Sequence, residues 1–109
     1  MKIEYFSQEL VDGIRSALGS EVTSIILYGS VARGEETDDS DIDIAVIVKN
    51  GLNNKTEELL SDFVVNMNLK YDRVFSVIDI EDHVIRELER IVPFYRNVMK
   101  EGIVLWNAA

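Results

Sequence analysis

Apolar residues recur along this chain in two periods, and the alternation between them lays out the elements. Leu10, Val11, Ile14, Ala17 and Leu18 fall at helical spacing, which collects them on one helix face. Ser7 is the expected N-cap and Gly19 the stop. The runs VTSIILY, residues 22 to 28, and IDIAVIV, 42 to 48, are short and β-branched, with Gly29 closing the first and KNGLNN following the second; both predict strands. Leu59, Leu60, Phe63, Val64 and Met67 predict a second long helix from about Lys55 to Leu69, and DRVFSVIDI after it predicts a third strand. That spacing suits a right-handed β-α-β crossover. A further stripe of Val84, Ile85, Leu88, Ile91 and Val92 predicts another helix. Pro93 starts a short one through about Lys100, with Phe94 in the core, and GIVLW predicts a final edge strand. The 109 residues suffice for one domain, expected over residues 1–109, with one core. The fold class expected is α/β (α+β), a small β-sheet with helices packed against it.

Composition narrows the chemistry. No apolar run approaches the roughly 18 residues needed to cross a membrane, and MKIEYFSQEL lacks the apolar core of a secretory signal. A cytoplasmic, soluble protein is expected. With no cysteine and only His83 as an imidazole, a zinc centre lacks ligands, so any metal must be held by oxygen. His83, beside Asp82 near a helix start, reads as structural. Twenty acidic against eleven basic residues give a formal charge of −9, which disfavours direct nucleic-acid binding and suits a basic protein partner.

The charge is concentrated. Six of the nine residues from Glu35 to Asp43 are carboxylates, between a glycine-flanked turn and an apolar strand. Gly29 and Gly34 have P-loop spacing, but Glu35 and Glu36 stand where Lys and Ser/Thr are required, and would repel phosphate. Asp39, Asp41 and Asp43 begin like an EF-hand loop, yet Ile44 replaces its glycine and Asn50 its bidentate glutamate. What survives is Gly29-Ser30, ten residues, then Asp41-Ile42-Asp43. Asp41 and Asp43 lie two apart on a strand and project from one face, while Ile42, Ile44, Val46 and Val48 occupy the other. Two such carboxylates raise each other's pKa unless a divalent cation neutralises them, and Mg²⁺ favours a few carboxylate oxygens plus phosphates. Asp38, Asp39, Glu35 and Glu36 read as a solvated loop. Gly29 permits a sharp turn, and Ser30 can open a helical turn whose N–H groups and hydroxyl face phosphate. Arg33 either touches phosphate or offsets the neighbouring carboxylates.

This Gly-Ser, Asp-x-Asp block resembles the signature of the polymerase-beta-like nucleotidyltransferases, specifically the minimal (MNT) members that pair as antitoxins with HEPN toxins; PFYRNVMKEG, 93 to 102, is similar to the tail of many short members. The resemblance implies the nucleotidyltransferase fold, triphosphate binding at Gly29 and Ser30, and two Mg²⁺ ions on Asp41, Asp43 and a third acid. It also implies AMP transfer from ATP to a tyrosine of a HEPN toxin. Bringing Ser30, at the end of one strand, to Asp41, at the start of the next, requires those strands to be antiparallel, so the sheet is expected to be mixed. For the third acid, general base and second metal ligand, Asp72 is the choice and Asp79 the competitor. Relatives commonly carry that acid between hydrophobic residues, and Arg73 beside Asp72 departs from the pattern. Two other readings compete: a non-catalytic antitoxin or assembly subunit that acts by binding, and a small-molecule nucleotidyltransferase whose cleft is completed by homo-oligomerisation. Tyr28 and Tyr71 flank the expected site, where they suit stacking on a base and a strand end at the core boundary equally, and neither is counted as a binding residue.

Overall fold

A computed structural model describes residues 2–108. Its elements follow the predicted order: α1 (Ser7–Leu18), β1 (Val22–Tyr28), α2 (Gly29–Arg33), β2 (Ile42–Val48), α3 (Asn54–Tyr71), β3 (Phe75–Glu81), α4 (Asp82–Leu88), α5 (Pro93–Glu101) and β4 (Ile103–Asn107). The strands form one sheet in the order β3-β2-β1-β4. β1 runs antiparallel to β2 and β4, whereas β2 and β3 are parallel. The sheet is therefore mixed, as the site argument requires.

Period-two alternation gives the sheet two buried faces. On one, Ile25, Leu27, Ile42, Ile44, Val46 and Val48 pack with Leu10, Val11 and Ile14 of α1 and with Leu60 and Met67 of α3. On the other, Ile26, Ala45, Ile47 and Ile80 pack with Ile85 of α4 and Val98 of α5. Each such fully buried aliphatic side chain stabilises the fold by about 1.5–3 kcal/mol relative to exposure. The start of α3 is fixed locally by a capping box. Asn53 Oδ1 accepts from the Thr56 N–H (2.8 Å), and Thr56 Oγ1 accepts from the Asn53 N–H (3.0 Å).

Five expectations change. Ser7 is the first residue of α1; Phe6 precedes it as N-cap and is buried, edge-on to Phe75 at 5.4 Å. Among the described residues no side-chain hydrogen bond caps α1, so the cap expected of Ser7 is not made. Leu59 points outward, and the stripe at 84–92 breaks because α4 stops at Leu88, leaving Ile91 exposed. Phe94 is 42% exposed rather than a core residue. The third strand begins at Phe75, so Asp72, Arg73 and Val74 precede it.

Candidate active site

The site lies where β1 ends and β2 begins. Tyr28, the last residue of β1, pairs with Asp43, and the chain then turns into α2. Gly29 makes that turn with φ +79, a conformation that L side chains rarely adopt. A Cβ there would collide with the Asp43 carboxylate. The glycine therefore serves twice, by bending the chain and by leaving room for the acid. Asp41 sits immediately before β2, so the antiparallel pairing brings both halves of the motif to one sheet end. Among the predicted residues, the structure gathers Gly29, Arg33, Asp41 and Asp43, with Ser30 following Gly29 as the second residue of α2.

Burial raises the Asp43 pKa above the ordinary carboxylate range and the Asp41 charge adds to this, opposed by Arg33. Tyr28 is pushed up as well, first by burial and then by the Asp43 charge. Its ring meets Phe94 edge-on at 5.6 Å, and Phe94 meets Tyr95 at 5.5 Å, which builds an aromatic wall beside the acids. Tyr71 lies elsewhere, its hydroxyl 2.6 Å from Glu9 Oε1. Arg33 reaches Glu35 at 3.3 Å and Glu101 at 3.7 Å, so in this structure it offsets carboxylates.

The acidic loop is ordered by its own polar groups. The Thr37 N–H donates to Ser40 Oγ (2.9 Å) and the Ser40 N–H donates to the Thr37 carbonyl (3.1 Å), while Asp38 and Asp39 face solvent as expected. Glu36 differs from that expectation: it is half-buried, and among the described residues its Oε2 has no hydrogen-bond partner. Arg73 has a structural use, because its Nη2 donates to the Ser40 carbonyl at 2.8 Å. It thereby ties the residue before Asp41 to the α3–β3 connection.

The third acid is where expectation and structure part. Asp72 caps α3 in a left-handed conformation, φ 51, and lines a shallow depression with Asp38, Asp39 and Asp41. Asp79 pairs with Val46, which belongs to the α1/α3 side of the sheet, opposite Asp43. Among the described residues no three His, Cys, Asp or Glu side chains come together as a metal cluster. The residue that the sheet places beside Asp43 is Ser76, which sequence reasoning passed over because interstrand register is invisible in one strand's pattern. The donors that remain, two acids with a charge at Asp43 that Arg33 only partly offsets, fit one oxygen-coordinated divalent cation such as Mg²⁺.

Comparison with known proteins identifies the family. The family described as "Polymerase beta, Nucleotidyltransferase" matches residues 14–109. The chain belongs to that nucleotidyltransferase family. A Methanocaldococcus jannaschii protein named "Putative protein adenylyltransferase" is 32% identical over 106 residues, covering 97% of this chain and all of the relative. Among solved structures, a toxin-antitoxin with AMP-PNP is similar with a TM-score of 0.63 at 20% identity, covering 93% of this chain and 73% of that one. The tri-AMPylated Shewanella oneidensis HEPN toxin in complex with MNT antitoxin matches with a TM-score of 0.64 at 18% identity, covering 98% and 74%. At such identities the structural matches establish the nucleotidyltransferase fold. None of the described helices of this nucleotidyltransferase is long and apolar enough to cross a membrane.

Proposed function

We propose that this nucleotidyltransferase is a Mg²⁺-dependent protein adenylyltransferase, which moves AMP from ATP to a hydroxyl of a HEPN toxin and so acts as its antitoxin. One observation carries the reading: Gly29 packs against Asp43 with no room for a Cβ, which holds the phosphate-side turn and the acidic pair in register. Family membership, the adenylyltransferase name of the archaeal relative and the likeness to toxin-antitoxin structures support it.

In this mechanism the acceptor oxygen attacks the α-phosphorus of ATP, the new O–P bond forms as the bond to pyrophosphate breaks, and the hydroxyl proton leaves to solvent. The chain's contribution is placement. Gly29 and Ser30 present N–H groups and a hydroxyl to the phosphates. Asp41 and Asp43 would hold the metal. Arg33 exchanges its carboxylate partners for phosphate when ATP enters. Magnesium, when bound, supplies neutralisation of the acids and of the charge developing on phosphate. The acceptor surface is assigned to the partner, as the likeness to an AMPylated toxin in complex with its antitoxin supports, and a cytoplasmic setting belongs to the same reading.

The test incubates the protein with Mg-ATP and a HEPN-domain protein, and weighs that partner by intact mass spectrometry. An AMP-sized gain on the partner is expected, lost with Asp41→Ala and Asp43→Ala while the complex still forms. A second reading, an antitoxin that works by binding alone, is favoured by the lack of a three-acid cluster among the described residues. Neutralisation of the toxin that survives Asp43→Ala would select it.

A further inference from the structure

The parallel register of β2 and β3 is Ile42↔Phe75, Asp43↔Ser76, Ile44↔Val77. Partners at the same level project from the same face of a sheet. Ile42, Phe75, Ile44 and Val77 all belong to the α1/α3 core, so the intervening pair, Asp43 and Ser76, faces the opposite side. Ile78 and Ile80 continue that side along β3, toward α4 and α5. Adjacent strands lie about 4.8 Å apart, hence a side chain at 76 reaches the same space in front of the sheet as Asp43. β3 is an edge strand, so this position borders the open flank of the site, and Ser76 is half-buried there.

Position 76 is thus where a third carboxylate would join the pair, and the residue is a neutral serine. Neither nearby acid substitutes for it: Asp72, on the cap of α3, shares a depression with Asp41 but completes no three-acid cluster among the described residues, and Asp79 stands on the other face. Resting on the adenylyltransferase reading, we propose that Ser76 determines the metal content of the site, limiting it to a single divalent ion that is retained only together with the phosphates of the nucleotide. A hydroxyl adds no negative charge, so two acids hold an ion weakly until phosphate oxygens complete its shell. Ligand charge count is the main lever on affinity for hard cations.

Mn²⁺ titration of the full chain, read by electron paramagnetic resonance with and without a non-hydrolysable ATP analogue, tests this. The wild type should hold one Mn²⁺ per nucleotide complex, and only weakly without nucleotide. Ser76→Asp, shown to be folded by its thermal melt, should bind Mn²⁺ at least about tenfold more tightly without nucleotide and accept a second ion with it. Ser76→Ala should keep the wild-type stoichiometry. Two ions per wild-type complex, which needs no variant to observe, would overturn the proposal. So would a folded Ser76→Asp protein with unchanged affinity. Asp43→Asn separates the two levels of inference: Mn²⁺ binding that ignores this substitution removes the adenylyltransferase reading itself, whereas binding that depends on Asp43 but not on Ser76→Asp removes only the role of Ser76.

Discussion

Gly29→Ala offers a direct test of the site geometry, provided it is compared with Gly34→Ala. Both glycines have left-handed backbones, φ +79 and +71. An alanine at either position therefore carries about 1–2 kcal/mol of backbone strain. For a domain of this size that lowers the melting temperature by about 5–10 °C. The surroundings differ. A Cβ at 34 meets nothing within 4 Å, whereas one at 29 strikes the Asp43 carboxylate, with Cγ at 3.2 Å and Cβ at 3.3 Å. The struck oxygen ends a short flexible side chain, so it swings aside at an extra cost of about 1 kcal/mol. Stability alone therefore separates the variants poorly. Function separates them well, because displacing a positioned group by about 1 Å can cost roughly a hundredfold in rate. Mn²⁺ affinity and AMP transfer should fall sharply in Gly29→Ala and remain near wild type in Gly34→Ala. In an Asp43→Ala background the carboxylate is gone and only the Cβ contact at 3.3 Å remains, so the two alanines should come close to costing equal stability in a double-mutant cycle. Equal metal affinity for both single variants would refute the contact between turn and acid as the basis of the site.

Asp43→Asn should stabilise the metal-free protein at neutral pH. The folded pKa of Asp43 lies above its unfolded value through burial and the Asp41 charge, so its ionisation disfavours the fold. The penalty is absent below the ordinary carboxylate value, where both states are protonated, and complete above the raised folded value. Melting temperatures in EDTA should therefore converge between wild type and Asp43→Asn as pH falls through the carboxylate range, and Mg²⁺ added together with a non-hydrolysable ATP analogue should raise the wild type more than Asp43→Asn. Arg73→Gln removes the donor to the Ser40 carbonyl. It should weaken Mn²⁺ binding by about tenfold while leaving far-ultraviolet circular dichroism unchanged. Gly13→Ala places a methyl into the Phe63 ring where α1 meets α3. Overpacking of about 1–3 kcal/mol should outweigh the helix-propensity gain of about 1 kcal/mol, and Phe63→Leu should restore the melting temperature.

The strands and most helices could be read from the chain because their periods coincide with their burial. Ile42, Ile44, Val46 and Val48 alternate with Asp43, Ala45 and Ile47, and both sets turned out to face helices. The antiparallel pairing of β1 and β2 was legible for a different reason: Ser30 and Asp41 can meet only that way. What failed depended on the partner strand or on a boundary. Asp72 sits in a run that looks like the start of a strand, yet α3 continues to Tyr71 and uses Asp72 as its left-handed cap. Ser76 is polar, small and unremarkable by pattern, and acquires meaning only through its pairing with Asp43. Phe94 has core-like spacing but meets Tyr28 at the rim of the site, whereas Val98, one turn further along α5, is the residue that reaches the buried sheet face.

The concentration of acid between Glu35 and Asp43 is resolved piece by piece, and the remainder points at the function. Glu35 is offset by Arg33. Asp38 and Asp39 lie in solvent on a turn closed by Thr37 and Ser40, where screening over about 10 Å weakens their repulsion. Arg73 holds the loop from behind through a backbone carbonyl, leaving its guanidinium charge close to the acidic segment. Only at Asp43 do burial and a neighbouring carboxylate act together, against a single partial counter-charge from Arg33. That counter-charge is shared with Glu35 and Glu101, and a phosphate entering at Gly29 would draw it away. On the proposed reading the pair then requires a cation at the moment the nucleotide arrives, which is the condition under which a two-carboxylate site binds metal and substrate as one unit.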